Sequence, residues 1–173
     1  MNEIIEAMKT RRSIRKFKPD ELPRDVILKI AEAGICAASG RNRQSSVVIA
    51  VTDKETIEKL RKTNAEIMGT ANDPFYGAPA VLIVLASKEY PTYVYDGSLV
   101  MGDLMLAAHS LGVGSCWIHR AKETFERPEW KKWLSEIGLD GDYEGIGHCV
   151  LGYVDGEYPA PIPRKEGRII FSR

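Results

Sequence analysis

Apolar positions change period several times along this chain, and each change marks an element. Ile4, Ile5 and Met8 recur at helical spacing behind Asn2, so residues 2–10 read as a short amphipathic helix with Asn2 as its N-cap. Phe17 and Lys18 precede Pro19, which forces an extended segment. Behind Pro23, the residues Val26, Ile27, Ile30, Ala33 and Gly34 share one face of a second helix that runs to about Cys36. Residues 37–46 are small and polar and read as a loop. The β-branched run at 47–51 predicts a strand. Thr52 or Asp53 caps a third helix that carries Ile57 and Leu60 toward Ile67.

Residues 68–79 hold two glycines and two prolines and cannot be regular. The continuous apolar run at 81–85 predicts a strand buried on both faces. Asp96 or Ser98 is the expected cap of a long helix that ends at Leu111, before Gly112. Its residues Leu99, Val100, Met101, Leu104, Met105, Leu106, Ala107 and Ala108 leave little polar face, so the helix must be covered by its own domain or by a partner. A strand at 113–118, a short helix at 128–137 and a strand at 147–154 follow. The proline-rich tail at 159–163 is extended. Helices and strands alternate, which gives a mixed α/β sandwich around a four- or five-stranded sheet.

Composition narrows the classes. With 173 residues, 44% of them hydrophobic and 28% charged, the chain has the size and make-up of a single globular domain over residues 1–173. The longest apolar run, 78–86, is too short to cross a bilayer, and the acidic start Met1-Asn2-Glu3 does not resemble a secretion signal. Cys36, Cys116 and Cys149 have neither disulfide nor zinc spacing, which makes a reducing cytoplasm the default.

Lysine plus arginine equals aspartate plus glutamate at 24 each, so a nucleic-acid binder is disfavoured. The charge is nevertheless uneven. Lys9, Arg11, Arg12, Arg15, Lys16 and Lys18 form a run without an acid, and Arg164, Lys165, Arg168 and Arg173 mark the tail. A neutral chain with basic clusters at both ends suits two solvated basic stretches, which charge alone favours, or two ends that meet around one small, highly charged anion.

The local chemistry fits that reading. Arg11-Arg12-Ser13 offers guanidinium forks and a hydroxyl, the donor set that grips phosphate. Asn42 and Gln44 each carry a donor and an acceptor, which an ordinary polar loop also has and which suits the edge of a heterocycle. His119 and Arg120 follow a strand end, where open α/β sheets keep ligands. His148 falls in an apolar strand and reads as core. There is no G-x-G-x-x-G loop after a first strand, no phosphate-loop G-K-[ST] and no histidine cluster for zinc.

In order along the chain, R-R-S-I-R-K-F at 11–17, A-A-S-G-R-N-R-Q at 37–44, A-P-A-V at 78–81, the helix and strand at 104–118, L-G-Y at 151–153 and the pair Arg164-Lys165 resemble the nitroreductase family of FMN-dependent oxidoreductases. The resemblance implies an α+β three-layer sandwich, with a mixed, mainly antiparallel sheet between helices, in an intertwined homodimer that exchanges C-terminal arms. It implies that Arg11, Arg12 and Ser13 hold the FMN phosphate and ribityl chain with Arg164 and Lys165, and that Arg15 sits by the pyrimidine edge. It also implies that the loop with Ser39, Arg41, Asn42 and Gln44 reaches the flavin from the other subunit. Ile118, His119 and Arg120 would face flavin N5. Ala38 and Ser45-Ser46 depart from the family's pattern of Pro and Pro-Trp.

The implied activity is hydride transfer from NAD(P)H through the flavin to an electron-poor small molecule, with no obligatory catalytic side chain. The alternatives are a flavin reductase, a reductive dehalogenase-like enzyme and an FMN-binding module without turnover.

Overall fold

The computed structural model describes residues 2–172; Met1 and Arg173, the last of the basic tail residues, lie outside the described residues. Helix α1 (Glu3–Thr10) starts where expected, because the Asn2 side chain accepts from the amides of Ile4 and Ile5. Helix α2 (Arg24–Ile35) follows Pro23, and strand β1 (Ser46–Val51) follows a loop with a 3-10 turn at Gly40–Asn42. Helix α3 (Lys54–Met68) is capped by Asp53, whose carboxylate accepts from Thr56 N, and it ends at Gly69 in the left-handed region. Strand β2 (Ala80–Ser87), helix α4 (Tyr93–Ser110) and strand β3 (Gly114–Ile118) come next. Helices α5 (Ala121–Glu126) and α6 (Pro128–Glu136) lead into strand β4 (Tyr143–Gly152).

The sheet order is β1-β2-β4-β3, and every named pairing is antiparallel. Four of the expected four or five strands are present. The one parallel contact among the described residues is the bridge from Ser13 to Ser115, which docks the segment after α1 beside β3. Alternate residues of β2 serve opposite faces. Val81, Ile83 and Leu85 join Ile57, Leu60, Phe125, Trp130 and Leu134 of α3, α5 and α6. Leu82 and Val84 join Ile27, Ile30, Val100, Met101 and Leu104 of α2 and α4. Helices therefore cover both faces, which makes the three layers of an α+β sandwich. Gly34 lets α2 approach α4, since a Cβ there would collide with the Leu104 side chain.

Three expectations need correction. Helix α4 starts behind Thr92, so neither Asp96 nor Ser98 is its cap. Asp96 lies in the first turn, buried, with its carboxylate turned to the loop before β1. Helix α5 was not expected, because its length is too short to display a helical period. Strand β4 begins at Tyr143, earlier than expected, with a register shift opposite Val84 and Leu85. Among the described residues no helix is long and apolar enough to cross a membrane.

Candidate functional site

The chain leaves α1 through Arg11, Arg12 and Ser13 and is then tied to the sheet, because Ile14 N donates to Ser115 O over 2.9 Å. Arg11 Nη1 is buried and has no hydrogen-bond partner. Arg12 is differently placed. Its Nη1 donates to Lys9 O and Arg11 O at 2.8 Å each, and its Nε donates to Ala160 O at 3.4 Å, so its guanidinium clamps the C-terminal arm. Ser13 and Arg15 stand beside Cys116, whose thiol pKa is raised by burial against the opposing pull of Arg15, the Ser13 hydroxyl and Arg11.

This segment opens onto a pocket of about 340 Å³. Arg15, Cys116, Ile118, His119 and Arg120 form one side, and Thr70, Asn72, Asp73 and Tyr76 form the other. The second side lies in the irregular stretch where no site residue was expected. Asp73 organises it: one carboxylate oxygen accepts from Phe75 N at 2.8 Å and the other from Gly77 N at 2.7 Å. Asp73 before a proline, with glycine four residues on, is the sequence signal of such a turn. Below the pocket wall His148 is fully buried between Phe75 and Phe125, with ring centroids 5.3 and 5.9 Å away. Neither of its nitrogens has a partner, and burial pulls its pKa down to about 3, so the ring is neutral.

The loop with Ser39, Arg41, Asn42 and Gln44 is a second centre. Gln44 N donates to Ser39 Oγ at 3.0 Å, and Gln44 Nε2 donates to Asn42 Oδ1 at 3.1 Å. That leaves Asn42 Nδ2 and Gln44 Oε1 for a ligand. The loop is pinned by the buried carboxylate of Asp96, which accepts from Gly40 N, Ser45 Oγ and Thr92 Oγ1 at 3.0, 3.2 and 3.0 Å. Arg41, Asn42, Gln44, Tyr76 and Arg120 are the non-glycine residues with positive φ among those described, and all five belong to these two centres. Strained backbone of this kind persists only where the surroundings impose it, and it concentrates at binding sites.

The structure brings together Arg15 with Ile118, His119 and Arg120, and holds Arg11 and Ser13 next to them. It does not bring the 39–44 loop to that pocket within one chain. The loop is fastened at Asp96, whereas the phosphate-type segment is fastened to α4 through His109, whose Nε2 lies 2.9 Å from Thr10 Oγ1. Those two anchors are thirteen residues apart on one helix, about 20 Å along its axis. Arg164 and Lys165 lie on the exposed tail and meet neither centre.

Comparison with known proteins gives a consistent picture. The family described as "Nitroreductase family" matches residues 8–71 and 62–153. Two relatives are named "Putative NADH dehydrogenase/NAD(P)H nitroreductase". The one from Methanothermobacter thermautotrophicus is 33% identical over 66% of this chain, and the match spans 60% of that protein's length. The one from Archaeoglobus fulgidus is 30% identical over 91% of this chain and 88% of its own. A solved nitroreductase with bound FMN from Bacteroides fragilis covers both chains fully at 27% identity, with a TM-score of 0.90.

Proposed function

The chain belongs to the nitroreductase family, and from that premise we propose that it is an FMN-dependent oxidoreductase. It takes reducing equivalents from NAD(P)H and delivers them to an electron-poor small molecule such as a nitroaromatic or a quinone.

The observation that carries this reading is the buried, partnerless Nη1 of Arg11. A desolvated charged donor without an acceptor is destabilising by about 1–3 kcal/mol or more. A phosphate oxygen would relieve that cost, and the Ser13 hydroxyl, two residues on, would add a second bond. Arg12 keeps only Nη2 for the same ligand. A terminal phosphate dianion, with no dinucleotide fingerprint in the chain, fits FMN rather than FAD. Bound FMN supplies the hydride chemistry at N5. The chain supplies binding, orientation and charge. Arg15 sets a fixed cation at the pocket, where reduction adds negative charge to the pyrimidine side. The Ile118–Arg120 backbone, held by the sheet and by α5, would form the wall against the flavin ring. Donor and acceptor use the same open pocket in turn, which makes the kinetics ping-pong.

The working unit of this reading is a homodimer. The 39–44 loop is too far from its own chain's pocket and reaches the flavin of the partner. Apolar surface supports this. Ile4, Ile5 and Met8 on α1 and Leu99 on α4 are 63, 48, 59 and 51% exposed, and Ile169, Ile170 and Phe171 at the tail are 81, 87 and 89% exposed. Helix α1 has no buried residue of its own. Surfaces this apolar are normally covered.

The test is the visible spectrum of the purified protein, identification of the released chromophore, and sedimentation. A yellow dimer that releases FMN and bleaches with NAD(P)H under anaerobic conditions is expected. A colourless protein that ignores added FMN, or one that releases FAD, overturns the proposal.

A further inference from the structure

Arg120 lies between β3 and α5 with φ 75°, a conformation that a non-glycine residue adopts only when held there. Three groups hold it. Thr124 donates to Arg120 O twice, from its amide at 3.0 Å and from its hydroxyl at 2.8 Å. Arg120 Nε donates to Asn64 Oδ1 at 3.0 Å. Asn64 Nδ2 donates to Thr124 Oγ1 at 3.2 Å and closes the triangle. Asn64 and Thr124 are both completely buried. A buried polar triangle with all of these bonds made is rigid.

The consequence falls on the guanidinium. Its Nε is engaged, and its two terminal nitrogens make no hydrogen bond or ion pair among the described residues. Arg120 lines the pocket with Arg15 and His119. The one acid there, Asp73, has both oxygens committed to backbone amides. Two guanidinium groups, Arg15 and Arg120, against that single carboxylate leave the pocket net positive, and the Arg120 fork is preset with its terminal nitrogens open.

We propose that Arg120, positioned by Asn64, is a specificity-determining residue that receives a carboxylate on the acceptor, so that the preferred acceptors are small carboxylate-bearing aromatics. This rests on the oxidoreductase reading above, which assigns Arg15 to the flavin and leaves Arg120 for the second substrate. The two terminal nitrogens of a guanidinium match the two oxygens of a carboxylate. A lysine carries the charge but not the fork, and it loses the anchor to Asn64.

The experiment compares 4-nitrobenzoate with its methyl ester, a neutral acceptor of the same shape near the nitro group. The readout is the ratio of their kcat/KM values, which cancels any effect common to both. The wild-type ratio favours the anion, and Arg120→Gln lowers that ratio by about tenfold, chiefly through KM. Asn64→Ala lowers it in part, and Arg120→Lys does not restore it.

Benzoate binding to the oxidised protein, followed by calorimetry at low and high salt, gives a readout free of turnover. Wild type binds and weakens with salt, and Arg120→Gln loses about tenfold in affinity. Equal ratios in wild type and Arg120→Gln, or no benzoate binding, overturn the assignment. So does a change that affects both acceptors equally together with a shifted flavin potential, because Arg120 then serves the flavin. Absence of FMN sinks the oxidoreductase reading instead, and it is seen in the spectrum before any acceptor is added.

Discussion

The hydroxyl of Tyr158 lies 3.1 Å from Nδ1 of His109, and this contact ties the C-terminal arm to the end of α4. The same hydroxyl accepts from Arg12 N at 2.9 Å, which leaves its own proton free for a neutral imidazole. His109 Nδ1 is then the acceptor and Nε2–H the donor, toward Thr10 Oγ1 at 2.9 Å, and Thr10 in turn donates to Glu6 O at 2.8 Å. This set of directions is that of the neutral ring. Burial lowers the His109 pKa, and the neighbouring Arg11 and Arg12 cations lower it further.

Tyr158→Phe removes both hydroxyl bonds of this line. At about 0.5–1.5 kcal/mol each, their loss frees the arm at residues 157–163 well before it affects the sheet. Limited proteolysis or amide exchange reads the difference. The arm becomes more accessible in Tyr158→Phe, with the β2 and β4 amides unchanged. Equal protection of the arm in both proteins counts against the latch.

Acid stability follows from His148. Its folded pKa is pulled down to about 3 by burial, below the ordinary value of about 6.5. The unfolded chain therefore binds the proton first. The stability is fully present above about pH 6.5 and is lost as pH falls toward the folded value. Between pH 6.5 and 5 the loss is about 2 kcal/mol. His148→Phe places an apolar ring between Phe75 and Phe125, and it flattens this slope. Denaturant unfolding at several pH values measures it. An unchanged slope in the variant assigns the acid loss to other groups.

Arg11 and Arg15 separate binding from chemistry. Arg11→Gln weakens FMN binding and leaves the reactivity of the bound flavin largely intact. In the proposed reading, Arg15→Gln removes a cation from the pyrimidine side of the flavin. A charge-assisted hydrogen bond is worth about 1.5–3 kcal/mol, and roughly 30 mV corresponds to 1.4 kcal/mol for two electrons. Its midpoint potential therefore falls by tens of millivolts, and reduction by NAD(P)H slows. Redox titration with stopped-flow reduction at saturating FMN distinguishes the two variants. If Arg15→Gln only loosens FMN, Arg15 belongs with the phosphate ligands or the surface.

Asp96→Ala leaves Gly40 N, Ser45 Oγ and Thr92 Oγ1 without their common acceptor. The loss is on the order of 3 kcal/mol, and for a chain of this length about 2–4 °C of Tm goes with each kcal/mol. Thermal unfolding with excess FMN should show a drop of roughly 6–12 °C. It should be accompanied by weaker flavin binding, because the 39–44 loop loses its anchor. A change under about 1 kcal/mol would mean that water replaces the carboxylate.

The sequence by itself determined what local interactions control. Asn2 and Asp53 cap α1 and α3 through amides two to three residues away, and Gly69 ends α3, so short segments carry the whole signal. The run at 81–85 showed a strand buried on both faces, because only a sandwiched strand is apolar at every position. The basic segment at 11–15 was legible as a cluster of donors for the same reason: the donors are neighbours in the chain.

Tertiary structure decided the rest. Asp96 looked like a cap and is instead a buried anchor, because its partners Gly40 and Ser45 are more than fifty residues away. Arg12 became a clamp when the arm brought Tyr158 and Ala160 to it. Residues 143–145 are polar or glycine and gave no strand pattern, and pairing with β2 makes them one. Asn64 sits one and two turns beyond Leu60 and Ile57 on the buried face of α3, a hint that something must bond to it. Only the fold shows that Arg120 and Thr124, about sixty residues later, are what it holds. Hydrogen-bond periodicity and capping act within four residues and leave a mark on sequence. A buried polar group fixes its partner by geometry alone, and that geometry exists only once the layers have packed.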